Sequence, residues 1–506
     1  MKRQFDEASI AELGTALAAG SVTSEKLVNL CLARMSAYDQ GGPKLNAVIY
    51  LNPSALEQAR SLDLERKAKG PRSPLHGIPI VLKDNVNTID MPTTAGSALL
   101  EGSTPSDDAY VVKKLREAGS VILAKVNMGE FSVGFNSSLG GRSLNPHDLA
   151  RTASGSSSGA GVAIAAGYAS LGVGTDTNGS IRIPSSVMGI VGLRPTLGLI
   201  SRNGVIPLSL SLDTVGPMAR TVSDVAFALN QLVGADVADP ATRKAEGRLP
   251  SDYTRFLKAG ALESARLGIA REVMGGGSDV DWIFEASITT MRNAGASIVE
   301  VRYPEWLLRF GTDAIHELVP EFKVCIGEYL KKYTLPKYPK SLEELIERAI
   351  DYASSGRSGL WQSPIHWAWL KRASGRGTLN DPGYVAIHDY YMQMVNALIN
   401  GIFAKERIDA IVFPTSSKGP RLVTAQWEDP MDKYAQIASM GGFPELVIPA
   451  GFTSDRLPVT ISFLGPAFSE PRLLELGYSY EKLTSAFRRP VTTPPLSGGL
   501  IDVPSD

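Results

Sequence analysis

Residues 151–187 read RTASGSSSGAGVAIAAGYASLGVGTDTNGSIRIPSSV, and this stretch decides how the rest of the chain is interpreted. It has no charged residue between Arg151 and Asp176 and consists almost wholly of glycine, alanine, serine and small aliphatic residues. Such residues allow backbone to pack against backbone, and glycine also adopts positive φ angles. The composition predicts a tightly buried helix over residues 159–172 whose N-terminus begins at a serine cluster.

Hydroxyl groups concentrate at the start of this predicted helix. Ser156, Ser157 and Ser158 are consecutive, and Ser180 follows further along the stretch. The N-terminus of a helix presents unpaired N–H groups and the positive end of the helix dipole to a nearby anion. Hydroxyls held beside free backbone donors are what acyl transfer requires, so the stretch predicts an acyl-transfer site.

Three other interpretations compete with an acyl-transfer site. Serine and glycine leave the stretch short of the roughly 18 continuous apolar residues that a membrane span needs. A core helix of small residues would need no function at all. Residues 155–159 also match G-x-S-x-G, which would make Ser157 an α/β-hydrolase nucleophile. That motif needs a strand directly before it, whereas residues 145–149 (NPHDL) are turn-like.

Composition sets only broad limits on function. The chain has 506 residues, 43% of them hydrophobic, and a net charge of −1, so no basic footprint indicates nucleic-acid binding. Two cysteines, Cys31 and Cys325, are too few for a disulfide framework. The first residues lack the apolar run of a signal peptide. We therefore expect a soluble, cytoplasmic protein.

Hydrophobic patterning outside the stretch predicts alternating helices and strands. Residues 8–38 resemble two amphipathic helices, which serve as scaffold or as a dimer contact. Residues 108–126 predict a helix followed by a short buried strand, the repeating unit of a covered sheet. Residues 77–82 predict another strand that ends at Lys83. That lysine is either a surface charge or a buried base whose ammonium form is disfavoured, and the sequence leaves both open.

The second half of the chain is less regular. Residues 235–262 indicate a linker, and strands are predicted at 266–270 and 297–301, with a hairpin over 446–464. Residues 303–400 are rich in aromatic side chains and form either a lid or pocket wall or a hydrophobic cluster under long loops. The tryptophans of this region are Trp306, Trp361, Trp367 and Trp369.

Other catalytic templates do not fit. The chain has no Walker P-loop, and residues 316–320 (HELVP) lack the second histidine of a zinc protease helix. The five histidines are scattered, so none is predicted to bind a metal. Residues 479–482 match S-x-x-K but lie on a predicted amphipathic helix, where coincidence is the better account.

Several separated motifs together resemble the amidase signature family, in particular bacterial peptide amidases and aryl acylamidases. Ser156 and Ser180 are 24 residues apart, the separation that this family shows between its two catalytic serines. The resemblance covers most of residues 20–235 and 405–482. The motifs are GIP at 77–79, KDN at 83–85, the serine cluster, GTDTNGSIR at 174–182, GLRPT at 192–196, GPMAR at 216–220 and GFP at 442–444.

The resemblance implies a fold as well as a reaction. We expect an α/β protein with the amidase-signature fold, in which a central mixed β-sheet is covered by helices on both faces. The chain would form a single domain over residues 1–506. Its parts would be an N-terminal helical segment at 1–70, a core at 71–235 and 405–486, a variable substrate-side region at 236–404 and a C-terminal tail at 487–506.

The family's reaction implies a Ser–cis-Ser–Lys triad at Ser180, Ser156 and Lys83. Ser180 would attack the amide carbonyl, and Ser156, on a cis peptide bond, would relay the proton to a neutral Lys83. Water would then hydrolyse the acyl-enzyme through the same relay. A general base works best when its pKa lies near the operating pH, so Lys83 must be buried away from stabilising carboxylates. No metal or cofactor is implied.

The resemblance also implies the surroundings of the triad. Backbone N–H groups of an oxyanion hole are expected at Thr177, Asn178, Gly179 and Ser180. Supporting or substrate-side positions are expected at Ser157, Met128, Gly129, Ser154 and Asp176.

Three residues depart from the family's usual pattern. Asn178 and Ser158 stand where glycine is common. Ser154 stands where a glycine usually precedes the loop that carries Ser156, which we call the cis-serine loop. Because asparagine tolerates positive φ better than most residues, the oxyanion hole can survive. We expect these changes to affect substrate preference more than activity.

The predicted function is hydrolysis of a small amide, hydrophobic or aryl on its acyl side. The alternative is the A subunit of a tRNA-dependent amidotransferase, which would need partner chains. A catalytically silent binding protein is a third class, against which the presence of Lys83, Ser156 and Ser180 argues. The predicted partner is a small-molecule amide, with no nucleic acid or membrane, and a homodimer is left open.

Overall fold

The secondary structure is taken from a computed structural model, which describes residues 1–356, 364–424 and 435–504. The strands are β1 (Lys2–Gln4), β2 (Val48–Leu51), β3 (Pro79–Lys83), β4 (Val121–Val126), β5 (Asn136–Ser137), β6 (Gly141–Arg142), β7 (Leu171–Asp176), β8 (Val191–Arg194), β9 (Thr214–Ala219), β10 (Arg266–Ala270), β11 (Ser297–Val301), β12 (Ala410–Pro414), β13 (Glu445–Phe452), β14 (Pro458–Leu464) and β15 (Leu500–Asp502). The helices are α1 (Ile10–Ala18), α2 (Ser24–Met35), α3 (Ala55–Lys69), α4 (Tyr110–Glu117), α5 (Ser158–Ala165), α6 (Arg182–Met188), α7 (Val222–Leu232), α8 (Ser278–Asn293), α9 (Glu305–Glu317), α10 (Val319–Tyr333), α11 (Leu342–Ser354), α12 (Pro364–Gly375), α13 (Pro382–Val385), α14 (Met392–Glu406), α15 (Ala435–Gly441) and α16 (Glu470–Thr484).

One large mixed sheet organises these elements. Its eleven strands run in the order β11-β10-β12-β14-β13-β8-β9-β7-β3-β4-β2. The pairs β11–β10, β10–β12, β7–β3 and β3–β4 are parallel, and the other neighbours are antiparallel. Helices flank the sheet, which confirms the α/β prediction.

Strands β3 and β7 position the residues that matter most for function. Both strands are buried along their whole length, as continuous apolar strands of a covered parallel sheet are. Their parallel register places Leu82 opposite Val173. The carboxyl ends of the two strands therefore meet at one edge of the sheet, with Lys83 on one strand and Thr175 and Asp176 on the other.

The predicted helix over residues 159–172 is wrong in its second half. Helix α5 ends at Ala165, and residues 171 and 172 already belong to β7. Gly167 has a φ of 71°, and a Cβ there would lie 2.6 Å from the Cβ of Asp6, so the chain turns where only glycine fits. A run of uniformly small residues has no periodicity that marks this end.

Most other predicted elements are confirmed. The N-terminal pair of helices corresponds to α1 and α2, and the predicted hairpin is β13–β14. The two strands predicted near residues 266 and 297 are β10 and β11, which join the large sheet as a parallel pair. They come from the stretch assigned to the variable region, and the domain boundaries themselves stay a prediction.

The aromatic region between residues 303 and 400 folds mainly into helices α9–α14. Trp306 packs against the cluster that contains Leu307 and Phe403. Trp367 and Trp369 pack against a second cluster, described below. All three tryptophans are partly buried, which fits the hydrophobic-cluster interpretation, whereas Trp361 lies outside the described residues.

Cys31 and Cys325 are both free thiols, of which Cys31 is buried. Among the helices of the described ranges, none is both long and apolar enough to cross a membrane.

Candidate active site

Lys83 lies at the centre of the polar groups at this sheet edge. It is the last residue of β3, and its side chain is completely buried. Its Nζ is 2.7 Å from Ser156 Oγ and 2.8 Å from Thr175 Oγ1. The main-chain oxygen of Thr175 is 3.3 Å from the same nitrogen. The lysine is therefore a buried side chain and not a surface charge at the end of a strand.

The surroundings of Lys83 favour its neutral form. No carboxylate within the described part of the chain lies in salt-bridge distance of its Nζ. Burial lowers the pKa of Lys83 to about 7, and the charges of Asp176 and Asp213 oppose this shift without cancelling it. A large share of the lysine is thus unprotonated near neutral pH, as a general base requires.

Ser156 reaches Lys83 from the loop before α5. The peptide bond between Gly155 and Ser156 is cis, and Ser156 is only 2% exposed. The main-chain oxygen of Ser156 accepts a hydrogen bond from Gly129 N at 2.9 Å. A Cβ on Gly155 would lie 2.1 Å from the main-chain oxygen of Gly134, so no larger residue fits there. The loop is held by its backbone and delivers the hydroxyl to the lysine.

Ser157 has a different environment from its neighbour. It is fully buried, and its Oγ donates to the main-chain oxygen of Thr175 at 3.1 Å. Its own N–H donates to the main-chain oxygen of Ser180 at 3.2 Å. The described residues just before it form only isolated bridges, at Thr152 with Leu144 and at Arg151 with Leu422. A strand–nucleophile–helix turn around Ser157 is therefore not formed, and this serine ties two loops together.

Ser180 lies in the loop between β7 and α6 and is 8% exposed. Among the described residues its hydroxyl makes no hydrogen bond, and in particular none to Ser156 Oγ. The link between the two serine loops is the main-chain bond from Ser157 to Ser180. None of the hydrogen bonds between described residues uses the N–H groups of Thr177, Asn178 or Ser180, which leaves these donors open to a ligand.

Asp176 holds this loop in shape. Its carboxylate accepts hydrogen bonds from the N–H groups of Gly179 at 2.8 Å and Ile181 at 2.9 Å. Gly179 N–H is therefore already engaged, unlike the other three N–H groups expected in the oxyanion hole. Burial opposes ionisation of Asp176, but the guanidinium groups of Arg182 and Arg194 hold its pKa well below the ordinary value. The carboxylate stays charged and anchors the loop.

The departures from the family's usual glycines have different backbone roles. Asn178 does not need a positive φ, because Gly179 takes that conformation with a φ of 99°. Ser158 is the first residue of α5 and is helical. Ser154 is the strained position, with a φ of 58°, in the left-handed region that disfavours most side chains. Of these three positions, only Ser154, in the cis-serine loop, has a strained backbone conformation.

Comparison with known proteins agrees with this geometry. A family model described as Amidase matches residues 26–474. The chain belongs to the amidase family. It is therefore an amide-hydrolysing enzyme with the amidase-signature fold.

Relatives of this amidase have similar length and structure. A solved structure of native peptide amidase from Stenotrophomonas maltophilia superposes with a TM-score of 0.90 at 38% identity, covering 96% of this chain and 99% of that one. A probable amidase of Arabidopsis thaliana is 35% identical over 95% of this chain and 90% of its own. The A subunit of the glutamyl-tRNA(Gln) amidotransferase of Myxococcus xanthus is 36% identical over 96% of this chain and 99% of its own.

A buried hydrophobic cluster of the amidase starts beside the cis-serine loop. Met128 is fully buried, and the next residue, Gly129, donates to Ser156 as described. Phe131 packs edge-on against Phe322, with ring centroids 6.0 Å apart. The Phe322 ring in turn packs against the Trp369 ring, with ring centroids 4.7 Å apart. These side chains belong to one buried hydrophobic cluster, in which Met128, Phe131 and Phe322 leave almost no surface exposed.

Three polar residues of the amidase site were not predicted. Thr175 and Asn85 lie inside motifs already recognised, and Asn85 Nδ2 donates to Thr175 Oγ1 at 3.0 Å. Asp213 accepts a hydrogen bond from Thr177 Oγ1 at 2.5 Å and precedes β9. Motif membership could have singled out the first two residues, whereas no sequence signal connects Asp213 to the site.

The amidase site offers no evident place for a metal. Within the described ranges, no group of three or more histidine, cysteine, aspartate or glutamate side chains is placed to hold a metal ion. The charged side chains around Asp176 are paired with one another.

Proposed function

We propose that this amidase cleaves its substrate through Ser180, Ser156 and Lys83. Ser180 Oγ attacks the amide carbonyl carbon while Ser156 takes the proton of Ser180 and passes its own to Lys83. The observation that carries this proposal is the 2.7 Å contact between Ser156 Oγ and the Nζ of a fully buried lysine. A lysine with a pKa of about 7 can both accept this proton and return it to the leaving amine.

The developing oxyanion is proposed to bind the free N–H groups after β7. Thr177, Asn178 and Ser180 supply these donors, and Asp176 holds the loop through Gly179 and keeps it in shape. Removing one such donor typically raises the barrier by about 3–4 kcal/mol. The released amine leaves an acyl-Ser180 ester, which water hydrolyses when the same relay removes its proton.

The substrate is proposed to carry an apolar group next to the scissile amide. The cavity beside Thr175 and Asn85 supports this choice, because Val205, Ile206 and Pro207 form an apolar part of its lining. The similarity to a protein described as a peptide amidase supports a peptide amide as the substrate. We infer that a peptide or aryl amide with an apolar acyl residue is the preferred substrate.

The nucleophile can be tested by labelling with a fluorophosphonate and mapping the adduct. We expect modification of Ser180 and complete loss of labelling in Ser180→Ala. An adduct on Ser157 would instead support the G-x-S-x-G match with Ser157 as the nucleophile and contradict the proposed triad.

The acyl preference can be tested with a panel of amides of matched size. We expect kcat/KM to be at least about tenfold higher for an apolar acyl residue than for a charged one. Faster turnover of compact, charged amides would contradict this substrate class.

A second candidate function is that of an amidotransferase A subunit, which the Myxococcus xanthus relative supports. The two functions differ in what the isolated chain can do. Hydrolysis of a peptide amide by the purified chain supports the first. Glutamine hydrolysis that appears only after copurification with two other subunits would support the second.

We further propose that residues 1–506 act as one domain in the cytoplasm. In this proposal the enzyme needs no metal and no partner other than, at most, a second copy of itself. The mixed sheet, which takes strands from both halves of the chain, supports the single domain.

A further inference from the structure

We propose that Thr175 is a positioning residue that directs the lone pair of Lys83 at the Ser156 hydroxyl. The role presupposes the proposed function, in which Lys83 is the base. Thr175 does not touch the substrate in this account. It acts through the orientation of the lysine.

The proposal follows from the hydrogen-bond capacity of Lys83. A neutral lysine has two N–H groups and one lone pair, whereas an ammonium has three N–H groups and no acceptor. The Nζ has three partners, which are Ser156 Oγ, Thr175 Oγ1 and the main-chain oxygen of Thr175. If both partners on Thr175 accept an N–H group, the lone pair is left facing Ser156.

One of these assignments is forced by chemistry. The main-chain oxygen of Thr175 can only accept, so it takes one N–H group of the lysine. The second N–H group goes either to Thr175 Oγ1 or to Ser156 Oγ. Only the first arrangement lets the lysine receive a proton from Ser156, and the second would leave the lone pair facing Thr175.

Asn85 helps to select the productive arrangement. Its Nδ2 lies 3.0 Å from Thr175 Oγ1 and 3.4 Å from the main-chain oxygen of Ile206. Because that oxygen can only accept, the amide nitrogen is the atom of Asn85 that faces Thr175. A hydroxyl oxygen has two lone pairs. Donation from Asn85 and Lys83 fills both.

This arrangement serves both protonation states of Lys83. When Ser156 gives up its proton, its O–H bond breaks and a third N–H bond forms on the Nζ along the same axis. Ser156 recovers a proton from Ser180 as Ser180 attacks. The two bonds to Thr175 stay unchanged, so no hydroxyl has to rotate during the transfer. Groups that need no reorganisation lower the barrier most.

The expected pH effect has a definite sign. The charged groups that act on Lys83 are Asp176, at the end of β7, and Asp213, whose own pKa burial raises to about 6. Thr175 Oγ1 accepts from the lysine and so favours the ammonium form, as both carboxylates do. Removing this acceptor moves the pKa of Lys83 further down.

The test is Thr175→Val, which keeps the β-branched shape and removes the hydroxyl. We expect kcat to fall about 10–100-fold because the lone pair is no longer directed, with KM unchanged within about a factor of two. The acid limb of kcat/KM should move to lower pH by about one unit. Thr175→Ser, which restores the acceptor, should recover most of the activity and the original limb.

A matched control exists at Lys125, the buried lysine of the neighbouring strand β4. Thr93 Oγ1 accepts from the buried Lys125 Nζ at 2.7 Å, in the same way that Thr175 accepts from Lys83. Thr93→Val should lower the thermal stability without moving the pH profile of folded enzyme. A general effect of losing a buried threonine hydroxyl is thereby separated from an effect on the base.

Two results would overturn the proposal. One is Thr175→Val with wild-type kcat and pH profile, as expected if the lone pair normally faces Thr175. The other is a loss that Thr175→Ser does not repair. If the valine variant does not fold, Thr175→Ala is compared with Thr175→Ser in the same assays. Retained activity in Lys83→Ala would instead refute the proposed function, and the two failures are therefore distinguishable.

Discussion

Lys83 and Lys125 are two buried lysines with almost the same surroundings. They lie on the neighbouring parallel strands β3 and β4, and both are 0% exposed. The Nζ of each donates to a threonine hydroxyl and to a main-chain oxygen. For Lys83 both belong to Thr175, and for Lys125 they are Thr93 Oγ1 at 2.7 Å and the oxygen of Pro92 at 3.1 Å.

The third partner separates the two lysines. Lys83 contacts the neutral hydroxyl of Ser156, whereas Lys125 Nζ lies 3.3 Å from the carboxylate of Asp84. Burial lowers the pKa of both lysines and carboxylates oppose both shifts, but among the described residues only Lys125 has a carboxylate within ion-pair distance. The comparison shows that burial alone does not make a base. The lysine must also lack a carboxylate in contact with its nitrogen that would hold its proton.

The largest expected effect is on catalysis at Lys83. Lys83→Met should lower kcat/KM by about 10²–10⁴-fold, since it removes the general base. The same variant should still fold, with a free energy of unfolding lowered by about 1–3 kcal/mol because Ser156 and Thr175 lose their buried partner. Steady-state kinetics and urea denaturation measure the two quantities. Retained turnover would remove the lysine from the mechanism.

The next effect is on stability at Lys125. Lys125→Met leaves the buried Asp84 carboxylate without its counter-charge, which should lower the free energy of unfolding by about 3–5 kcal/mol. The turnover of the molecules that remain folded should be close to wild type. Urea denaturation measures the free energy of unfolding. Turnover per active site, with the active sites counted by titration, measures the activity of the folded molecules. An inactive but fully stable variant would contradict the division of roles between the two lysines.

A smaller effect tests whether the unpaired charge is the cause. Adding Asp84→Asn to Lys125→Met removes that charge and should restore about 1–3 kcal/mol of the lost stability. An asparagine oxygen can still accept from the N–H groups of Thr94 and Gly96, which Asp84 binds now. A double-mutant cycle by urea denaturation gives the coupling energy. No recovery would mean that lost packing, and not charge, destabilises the single variant.

The smallest effect is the pH dependence of the rate. Lys83 accepts a proton only when it is neutral, so kcat/KM should be constant above the pKa of about 7 and fall about tenfold per pH unit below it. Lys125→Met should show the same acid limb as the wild type, because Lys125 takes no part in the relay. Initial rates across pH 5–9 with one amide measure both profiles, and a shifted limb in that variant would show that the two lysines are coupled.

Local sequence patterns predicted much of the fold. Residues 77–82 predicted β3 because they form a short continuous apolar run, and the hairpin β13–β14 followed from two such runs around a polar turn. The end of α5 was missed because small residues leave no periodic signal. The burial of the tryptophans near residue 367 could not be predicted either, since it depends on Phe322 packing from another helix.

The sequence by itself determined the family, the α/β class and the identity of the three residues proposed for the triad. The serine spacing and the ordered motifs are local or linear features, which a chain carries whether folded or not. Only the tertiary structure decided that Lys83 is buried and which groups surround it. Its bonds to Ser156 and Thr175 join residues 73 and 92 positions apart. The bond to Thr175 exists because β3 and β7 pair in parallel, and no local pattern encodes that pairing or the absence of a carboxylate in contact with the lysine.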